Sequence, residues 1–364
     1  MIGVYLTRLD IARLRCLKQA SVEPCAGLNL LLGGNGAGKT SVLEGLFLLG
    51  SGRSFRSGGH EAMIQSGAHA AQVYAELVFE GRHERVGIER ARSRWQALHN
   101  GARVADLAEL ASLVPVVCFS PDSHELVSGG AEARRRFFDW IVFHVEPGFT
   151  EVYRRYSRVL RQRNALLKTG PADTELETWT LELASSGERV AECRSRVFPR
   201  FAEAMGTKLG ELLGELGEAT ILFRRGWREG IPLLERLRMI QNREREVGHT
   251  LAGPHRADWM IHIGNHEIRD HGSRGQQKLV ALSAVLVAAQ LYQQRRGHPP
   301  IVVLDDLASE LDTEHQQRAL LACAALGAQL WVSGTQGLLA TEAWMGERRV
   351  FHVERGEVSA MPGG

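Results

Sequence analysis

Eight consecutive residues hold the first recognisable chemistry of the chain. Gly33-Gly34-Asn35-Gly36-Ala37-Gly38-Lys39-Thr40 fits the pattern GxxxxGK[ST] in full. Glycines let successive backbone N–H groups curl around an anionic phosphate, and a following helix adds its positive end. In such a loop Lys39 reaches the β- and γ-phosphates and the Thr40 hydroxyl ligates Mg²⁺. A chance glycine turn is the alternative. Against it stand the apolar run Leu28-Asn29-Leu30-Leu31-Leu32 before the loop and the helical spacing of Val42, Leu43, Leu46 and Phe47 after it.

A second cluster is acidic. Ile301-Val302-Val303-Leu304 reads as a buried strand ending in Asp305-Asp306. A carboxylate at that end suits a Mg²⁺ site, so Asp305 is expected to hold the metal. Asp306 is expected to position or deprotonate the attacking water. A third cluster, Ser273-Arg274-Gly275-Gln276, opens the apolar stretch Leu279 to Leu291. A hydroxyl, flexible backbone and N–H groups at a helix start can meet an anion. A plain N-cap would look the same, but a Ser-x-Gly-Gln helix shortly before an aspartate strand is the ordering of ABC-type ATPases.

These residues need elements to carry them. The glycine loop sits between a strand and a helix. Residues 71–106 alternate (Val73, Ala75, Leu77, Phe79, then Val86 and Ile88) and include Asn100-Gly101, so an antiparallel meander is expected. Pro115 to Phe119 reads as another buried strand. From 131 to 241 the period turns helical, with Phe149, Val152, Tyr153, Tyr156, Val159 and Leu160 on one face and a break at Gly170-Pro171. No apolar period of 3.5 is sustained, which argues against a coiled coil. Strand-like pieces return at Trp259 to Ile263, Ile301 to Leu304 and Gln329 to Val332. The expected fold is α/β: a P-loop ATPase head of ABC type built from 1–130 and 246–364, with an antiparallel β subdomain and a helical lobe inserted at 131–245.

Composition bounds the function. The 364 residues carry 44 Lys+Arg against 42 Asp+Glu, a net charge of +2, which excludes a uniformly basic nucleic-acid coat but not a local basic face. Cys16, Cys25, Cys118, Cys193 and Cys323 are scattered with no CxxC pair, so neither a disulfide framework nor a zinc site is expected, and a reducing cytoplasm is the natural compartment. Arg8 and Asp10 come too early for a secretory leader. The run Leu279 to Leu291, interrupted by Ser283 and Gln290, is shorter than the roughly 18 residues of a membrane span.

The longer motifs carry a resemblance. Besides Gly33 to Thr40 they are Gly52-Arg53-Ser54-Phe55-Arg56, Gly129-Gly130 with Arg134-Arg135-Arg136-Phe137-Phe138-Asp139, and Glu146-Pro147-Gly148-Phe149. Gly253-Pro254-His255-Arg256-Ala257-Asp258, Ser273 to Gln276, and Leu304-Asp305-Asp306 through Ala308-Ser309-Glu310-Leu311-Asp312 complete the set. Over essentially its whole length the chain resembles the RecF family of SMC-related, ABC-type ATPases. The resemblance implies ATP and Mg²⁺ as cofactors, with ATP sandwiched in a homodimer. Ser273, Gly275 and Gln276 would then contact the γ-phosphate of the partner's nucleotide, and Ser309 to Asp312 would be the dimer-contacting loop. It further implies an ATP-gated clamp on duplex DNA at single-strand gaps, working with RecR and RecO to promote RecA loading in recombinational repair and replication restart, and a weak DNA-stimulated ATPase.

The pattern departs from ABC enzymes in three places. Ser120-Pro121-Asp122 stands where a Q-loop glutamine is sought, Ser333-Gly334-Thr335 where a switch histidine is sought, and the second acid is Asp306 rather than Glu. Slow, timer-like hydrolysis is the expectation. An ABC transporter ATPase subunit and a small-molecule P-loop kinase are the other readings; the first lacks its glutamine and histidine, and the second has no use for the Ser-x-Gly-Gln helix. For DNA the candidates are Arg134, Arg135, Arg136, Arg154, Arg158 and Arg161, the last three on one helical face. An ion-paired, solvated face is the alternative. Arg53 and Arg56 would meet DNA or brace the nucleotide site. His255 reads as structural.

Overall fold

The computed structural model describes residues 3–56, 61–170, 172–214, 217–264, 266–335 and 344–361. It divides into two units, Met1–His124 with Lys278–Gly364, and Glu125–Gln277.

In the first unit the central sheet has the order Glu357–Ala360, Arg348–Glu354, Leu28–Leu32, Leu330–Gly334, Ile301–Leu304, Val116–Phe119, and its last four strands are short and buried nearly throughout. All pair in parallel except the terminal hairpin. Continuous apolar runs such as Ile301-Val302-Val303-Leu304 are what a doubly covered parallel sheet requires. A second sheet is antiparallel, in the order Leu17–Val22, Val4–Leu14, Ala70–Phe79, Arg82–Ala91, Trp95–His99, Ala102–Arg103. The expected meander at 71–106 is present, with left-handed Asn100 and Gly101 at its last turn. Its two neighbours from the start of the chain were not anticipated as strands. Gln329 ties the two sheets: it accepts from the Leu6 N–H and donates to the Leu6 carbonyl, both at 2.9 Å.

Helix Lys39–Ser51 packs on strands of both sheets. Its apolar residues Val42, Leu43, Leu46 and Leu49 are fully buried. Gly45 permits the close fit, because a Cβ there would lie 2.6 Å from Ile11 Cδ1.

The second unit holds helices Ala131–Val145, Phe149–Leu167 and the 41-residue Asp173–Leu213, with a small sheet ordered His266–Glu267, Asp258–Ile263, Ala219–Arg224. The long helix contains Pro199 and packs on Phe149–Leu167 rather than extending as a coiled coil. The division falls at 124/125 and 277/278, not at 130 and 245 as the sequence suggested. The reason is strand pairing: Asp258–Ile263 runs antiparallel to Ala219–Arg224, in register from Asp258↔Arg224 to Ile263↔Ala219, and so joins 246–277 to the inserted unit. Ala219–Arg224 lies inside the stretch expected to be helical. Helix Arg274–Arg296 crosses the second boundary. Among the described residues no helix is long and apolar enough to cross a membrane.

Candidate nucleotide site

Strand Leu28–Leu32 delivers the glycine loop at its C-terminal end. Gly33 must be glycine, since a Cβ would lie 2.1 Å from the Val353 carbonyl oxygen. Gly36 and Gly38 adopt φ of 76° and 119°, in the left-handed region that favours glycine. Lys39 curls back: its Nζ donates to the carbonyls of Gly33 (2.8 Å) and Gly34 (2.9 Å), and it is 7% exposed. A hollow of about 290 Å³ opens beside the loop, lined by Gly36 to Ser41 together with Arg15, Cys16 and Arg56. Asn35 and Gly34 border a second hollow with His352 to Arg355.

One strand, Ile301–Leu304, brings both acids. The Asp305 N–H donates to the Phe119 carbonyl at 2.8 Å, holding the end of its strand in register. Asp305 is 1% exposed, and its Oδ1 accepts from Thr40 Oγ1 (3.0 Å) and Ser333 Oγ (2.6 Å). Burial pushes its carboxyl up from the ordinary range, the Ser333 and Thr40 hydroxyls pull it back, and the neighbouring Asp306 charge adds to the upward push. Because Thr40 spends its proton on Asp305, its oxygen lone pairs remain available. Oxygen donors of this kind suit a hard divalent cation that keeps several waters and shares nucleotide oxygens. The residues therefore fit Mg²⁺ at Thr40 and Asp305.

Asp306 differs from its neighbour. It sits at φ 54°, ψ 39°, an uncommon conformation for a non-glycine residue, and its N–H donates to Ser333 Oγ at 2.8 Å. Its carboxylate does not cap the helix Leu307–Glu310 that follows. Ser333, from the strand next door, thus orients both acids at once. The sequence reading missed it while seeking a histidine there; a buried hydroxyl on the neighbouring strand was the only available signal. Beyond it, Ser309 N and Oγ both bond the Asp306 carbonyl at 3.0 Å, and Asp312 caps helix Thr313–Leu326 through the His315 N–H at 2.9 Å.

In the second unit Ser273 and Gln276 form a reciprocal capping box. The Ser273 N–H donates to Gln276 Oε1 (2.8 Å), and the Gln276 N–H to Ser273 Oγ (3.2 Å). Ser273 and Gly275 remain exposed. The run Gly253 to Asp258 is clamped at nearly every residue. Arg194 donates to the Pro254 carbonyl (2.7 Å) while chelating Asp139 at 2.8 and 2.9 Å. Tyr156 Oη lies 2.6 Å from His255 Nδ1, and His255 Nε2 lies 3.1 Å from the Thr250 carbonyl. Burial holds the His255 imidazole down at about 4, so it is neutral, accepting at Nδ1 and donating at Nε2. Arg135 donates to the Ala257 carbonyl (2.8 Å), and Arg134 chelates Asp258 at 2.7 and 3.0 Å.

Residues 5–356 match the RecF/RecN/SMC N terminal domain family. The chain is 41% identical to the DNA replication and repair protein RecF of Stenotrophomonas maltophilia, over 99% of this chain and 100% of the relative. It is 36% identical to that of Pseudomonas fluorescens, over 97% and 98%. The chain belongs to the RecF family. A solved structure of the recombination mediator protein RecF with ATP in the RecFOR pathway superposes with a TM-score of 0.89 at 24% identity, covering 99% of this chain and 98% of that one. A Pyrococcus furiosus Smc head domain gives 0.58 at 16%. These two likenesses show the fold: a mixed α/β ATPase head of the RecF and SMC type.

Within this RecF-type fold the arginines expected on a DNA face separate. Arg134 is not on a surface. It is buried against Asp258 and the carbonyls of Val127 and Gly129, so its charge is spent inside the unit. Arg135 is half-buried on the Ala257 carbonyl. Arg136 is exposed and paired with Glu132 one turn away. Arg154, Arg158 and Arg161 are exposed on helix Phe149–Leu167, and Arg158 and Arg161 have no acidic partner among the described residues. Arg56 lies at the nucleotide hollow.

Proposed function

We propose that this RecF-family chain is an ATP-dependent DNA-binding protein of replication and recombinational repair, a dimeric clamp that closes with ATP on duplex DNA at single-strand gaps. RecO and RecR are its partners, RecA loading the outcome, and weak DNA-stimulated ATP hydrolysis its release step. The observation that carries the nucleotide half of this reading is the convergence of Thr40 and Ser333 on Asp305 at the mouth of the glycine loop. The relatives' names, DNA replication and repair protein, support the other half. They also disfavour a transporter subunit.

On ATP binding Lys39 gives up the Gly33 and Gly34 carbonyls for the β- and γ-phosphates, which are better acceptors for an ammonium. Mg²⁺, held by Thr40 and Asp305, would neutralise charge developing on the phosphates. Ser333 keeps Asp305 turned toward Thr40 and keeps the Asp306 backbone in its left-handed turn. Asp306, with a carboxylate free of capping duty, orients the attacking water and takes its proton. Ser273, Gly275 and Gln276 serve the nucleotide of a second copy, where the exposed helix start offers N–H groups to the γ-phosphate, and Ser309 to Asp312 line the contact between copies.

Sedimentation with ATP-Mg²⁺ tests the dimer. Wild type is expected to dimerise. Ser273→Arg is expected to bind nucleotide as a monomer and fail to dimerise, because the blocked surface belongs to the partner's site. A Ser273→Arg chain that dimerises normally would reduce Ser273 to a helix cap. Phosphate release with and without duplex DNA tests the remainder, and no stimulation by DNA would overturn the clamp reading.

A further inference from the structure

Two exposed charges sit where their own chain disfavours them. Arg274 is the first residue of helix Arg274–Arg296, directly after Ser273. The start of a helix carries partial positive charge and favours anions, so a guanidinium there is opposed by the dipole. The first turn holds no acidic residue to offset it, and the exposed Arg274 side chain has no hydrogen bond or ion pair among the described residues. Glu354 ends strand Arg348–Glu354 and stands directly opposite Glu357 across the terminal hairpin. Like charges in that register repel. The Glu354 side chain is 67% exposed, and the His352 ring is 3.7 Å from its carboxylate, beyond hydrogen-bond distance.

The hairpin is fixed against the glycine loop. The Gly356 N–H donates to the Ala37 carbonyl at 2.8 Å, and a Cβ on Gly356 would lie 2.6 Å from the Cys16 carbonyl oxygen. Between hairpin and loop is a hollow of about 470 Å³, lined by Gly34 to Ala37 and His352 to Arg355. Among the described residues Glu354 is the one carboxylate on either hollow that borders the loop. Arg355 also lines the hollow, so a cation gains there only by direct contact with the Glu354 carboxylate.

In the dimer proposed above, Ser273 reaches the γ-phosphate held by the glycine loop of a second copy. Arg274, next in sequence, is thereby brought beside that loop, on whose flank Glu354 stands. Resting on that reading, we propose that Arg274 pairs with Glu354 of the partner subunit. The contact is self-complementary and forms twice, once on each side of the two-fold axis. Each charge is unfavourable within its own chain and is met across the interface. The pair therefore favours the closed dimer without stabilising the monomer, and it steers each Ser273 helix start to a glycine loop by charge as well as by nucleotide.

The test is sedimentation of Arg274→Glu and Glu354→Arg chains with ATP-Mg²⁺, alone and mixed. Both positions are exposed, so both chains should melt as wild type does and bind a fluorescent ATP analogue as monomers with unchanged affinity. Each variant alone sets like charges against each other at both contacts, and its homodimer is expected to be at least about tenfold weaker than wild type. In the mixed dimer the two substitutions face each other at one contact and the two native residues at the other. Opposite charges then meet at both, and dimerisation should return to near the wild-type level. Mixing cannot restore a chain that has merely lost its fold, so recovery in the mixture supports the pair. Homodimers as tight as wild type, or no recovery on mixing, overturn it. A weakened Arg274→Glu beside an unaffected Glu354→Arg also overturns it and would give Arg274 to a phosphate of nucleotide or DNA. The dimer reading fails separately: there wild type itself stays monomeric with ATP-Mg²⁺.

Discussion

Guanidinium groups are balanced in opposite ways in the two units. In the unit Glu125–Gln277, each buried arginine has a carboxylate of its own and every one of its guanidinium nitrogens bonds protein. Arg134 has Asp258, Arg194 has Asp139, and Arg163 has Glu244 at 2.7 Å plus the Thr180 and Thr250 hydroxyls. Beside the glycine loop, Arg15 and Arg56 share one carboxylate. A saturated pair can only hold loops in place, because any outside anion would have to displace an existing partner. The shared carboxylate is chelated by Arg15, and Arg56 stays 4.0 Å from it. Arginines that build the molecule are thus recognised by a carboxylate of their own, which sequence spacing does not reveal.

The largest test of the contrast is Arg194→Ala. It strands the largely buried Asp139 and the Pro254 carbonyl, and breaking such a pair costs about 3–5 kcal/mol. Urea unfolding should show that loss. Nucleotide affinity in the surviving folded fraction should stay within about twofold. A change below about 1 kcal/mol would mean that saturated pairs are not structural here.

At the shared-charge site the expected effect falls on rate rather than stability. Asp306→Asn preserves shape and removes the base, so ATP should bind while hydrolysis falls at least about a hundredfold, within the range for a lost general base. Asp305→Asn should instead weaken the Mg²⁺-dependent part of binding. Rapid-quench assays beside equilibrium binding separate the two. Equal loss of affinity in both variants would show the acids to be misassigned.

The clamped Gly253 to Asp258 run also predicts a pH response. Burial holds the folded His255 imidazole down at about 4, below the roughly 6.5 of an ordinary histidine. A base whose folded value is depressed contributes stability that is complete above the unfolded value. That stability is lost as pH falls from about 6.5 to 4, while the unfolded chain gains the proton first. The loss should be on the order of 3 kcal/mol and should vanish in His255→Asn. Thermal melts over that window check it, and a wild-type curve parallel to that of the variant would mean that the imidazole is not held neutral.

What was legible in the sequence is local. The glycine loop, the strand ending in Asp305, the alternation of 71–106 and the capping residues of Ser273 to Gln276 each declare themselves within a few positions. What was not legible depends on distant partners. Arg134 sits in a basic run, and nothing near it in sequence reveals Asp258, 124 positions on. Glu44 and Arg15 are 29 apart on different elements. Ser333 gains its role only because parallel pairing sets its strand beside Ile301–Leu304. Ala219–Arg224 is a strand because Asp258–Ile263 offers it an edge, a tertiary fact that overrides its surroundings.

The smallest expected effect concerns the exposed face of helix Phe149–Leu167, where the contrast is sharpest. Arg158 and Arg161 are spaced one turn apart, exposed, and without acidic partners among the described residues. Arg155, on the same helix, is paired with Glu182. If unpaired arginines serve a ligand and paired ones do not, Arg158→Ala and Arg161→Ala should leave the melting temperature unchanged and lower duplex DNA affinity a few-fold each. Each should also reduce the dependence of log affinity on log salt by about one unit, the signature of one lost phosphate contact. Arg155→Ala should leave that slope alone. Fluorescence anisotropy across a salt series reads the slope directly, and it discriminates better than affinity at one salt concentration, since a general loss of folded protein lowers affinity without changing the slope. Equal slopes in all three variants would assign this helix face to solvent and move the search for the DNA surface elsewhere.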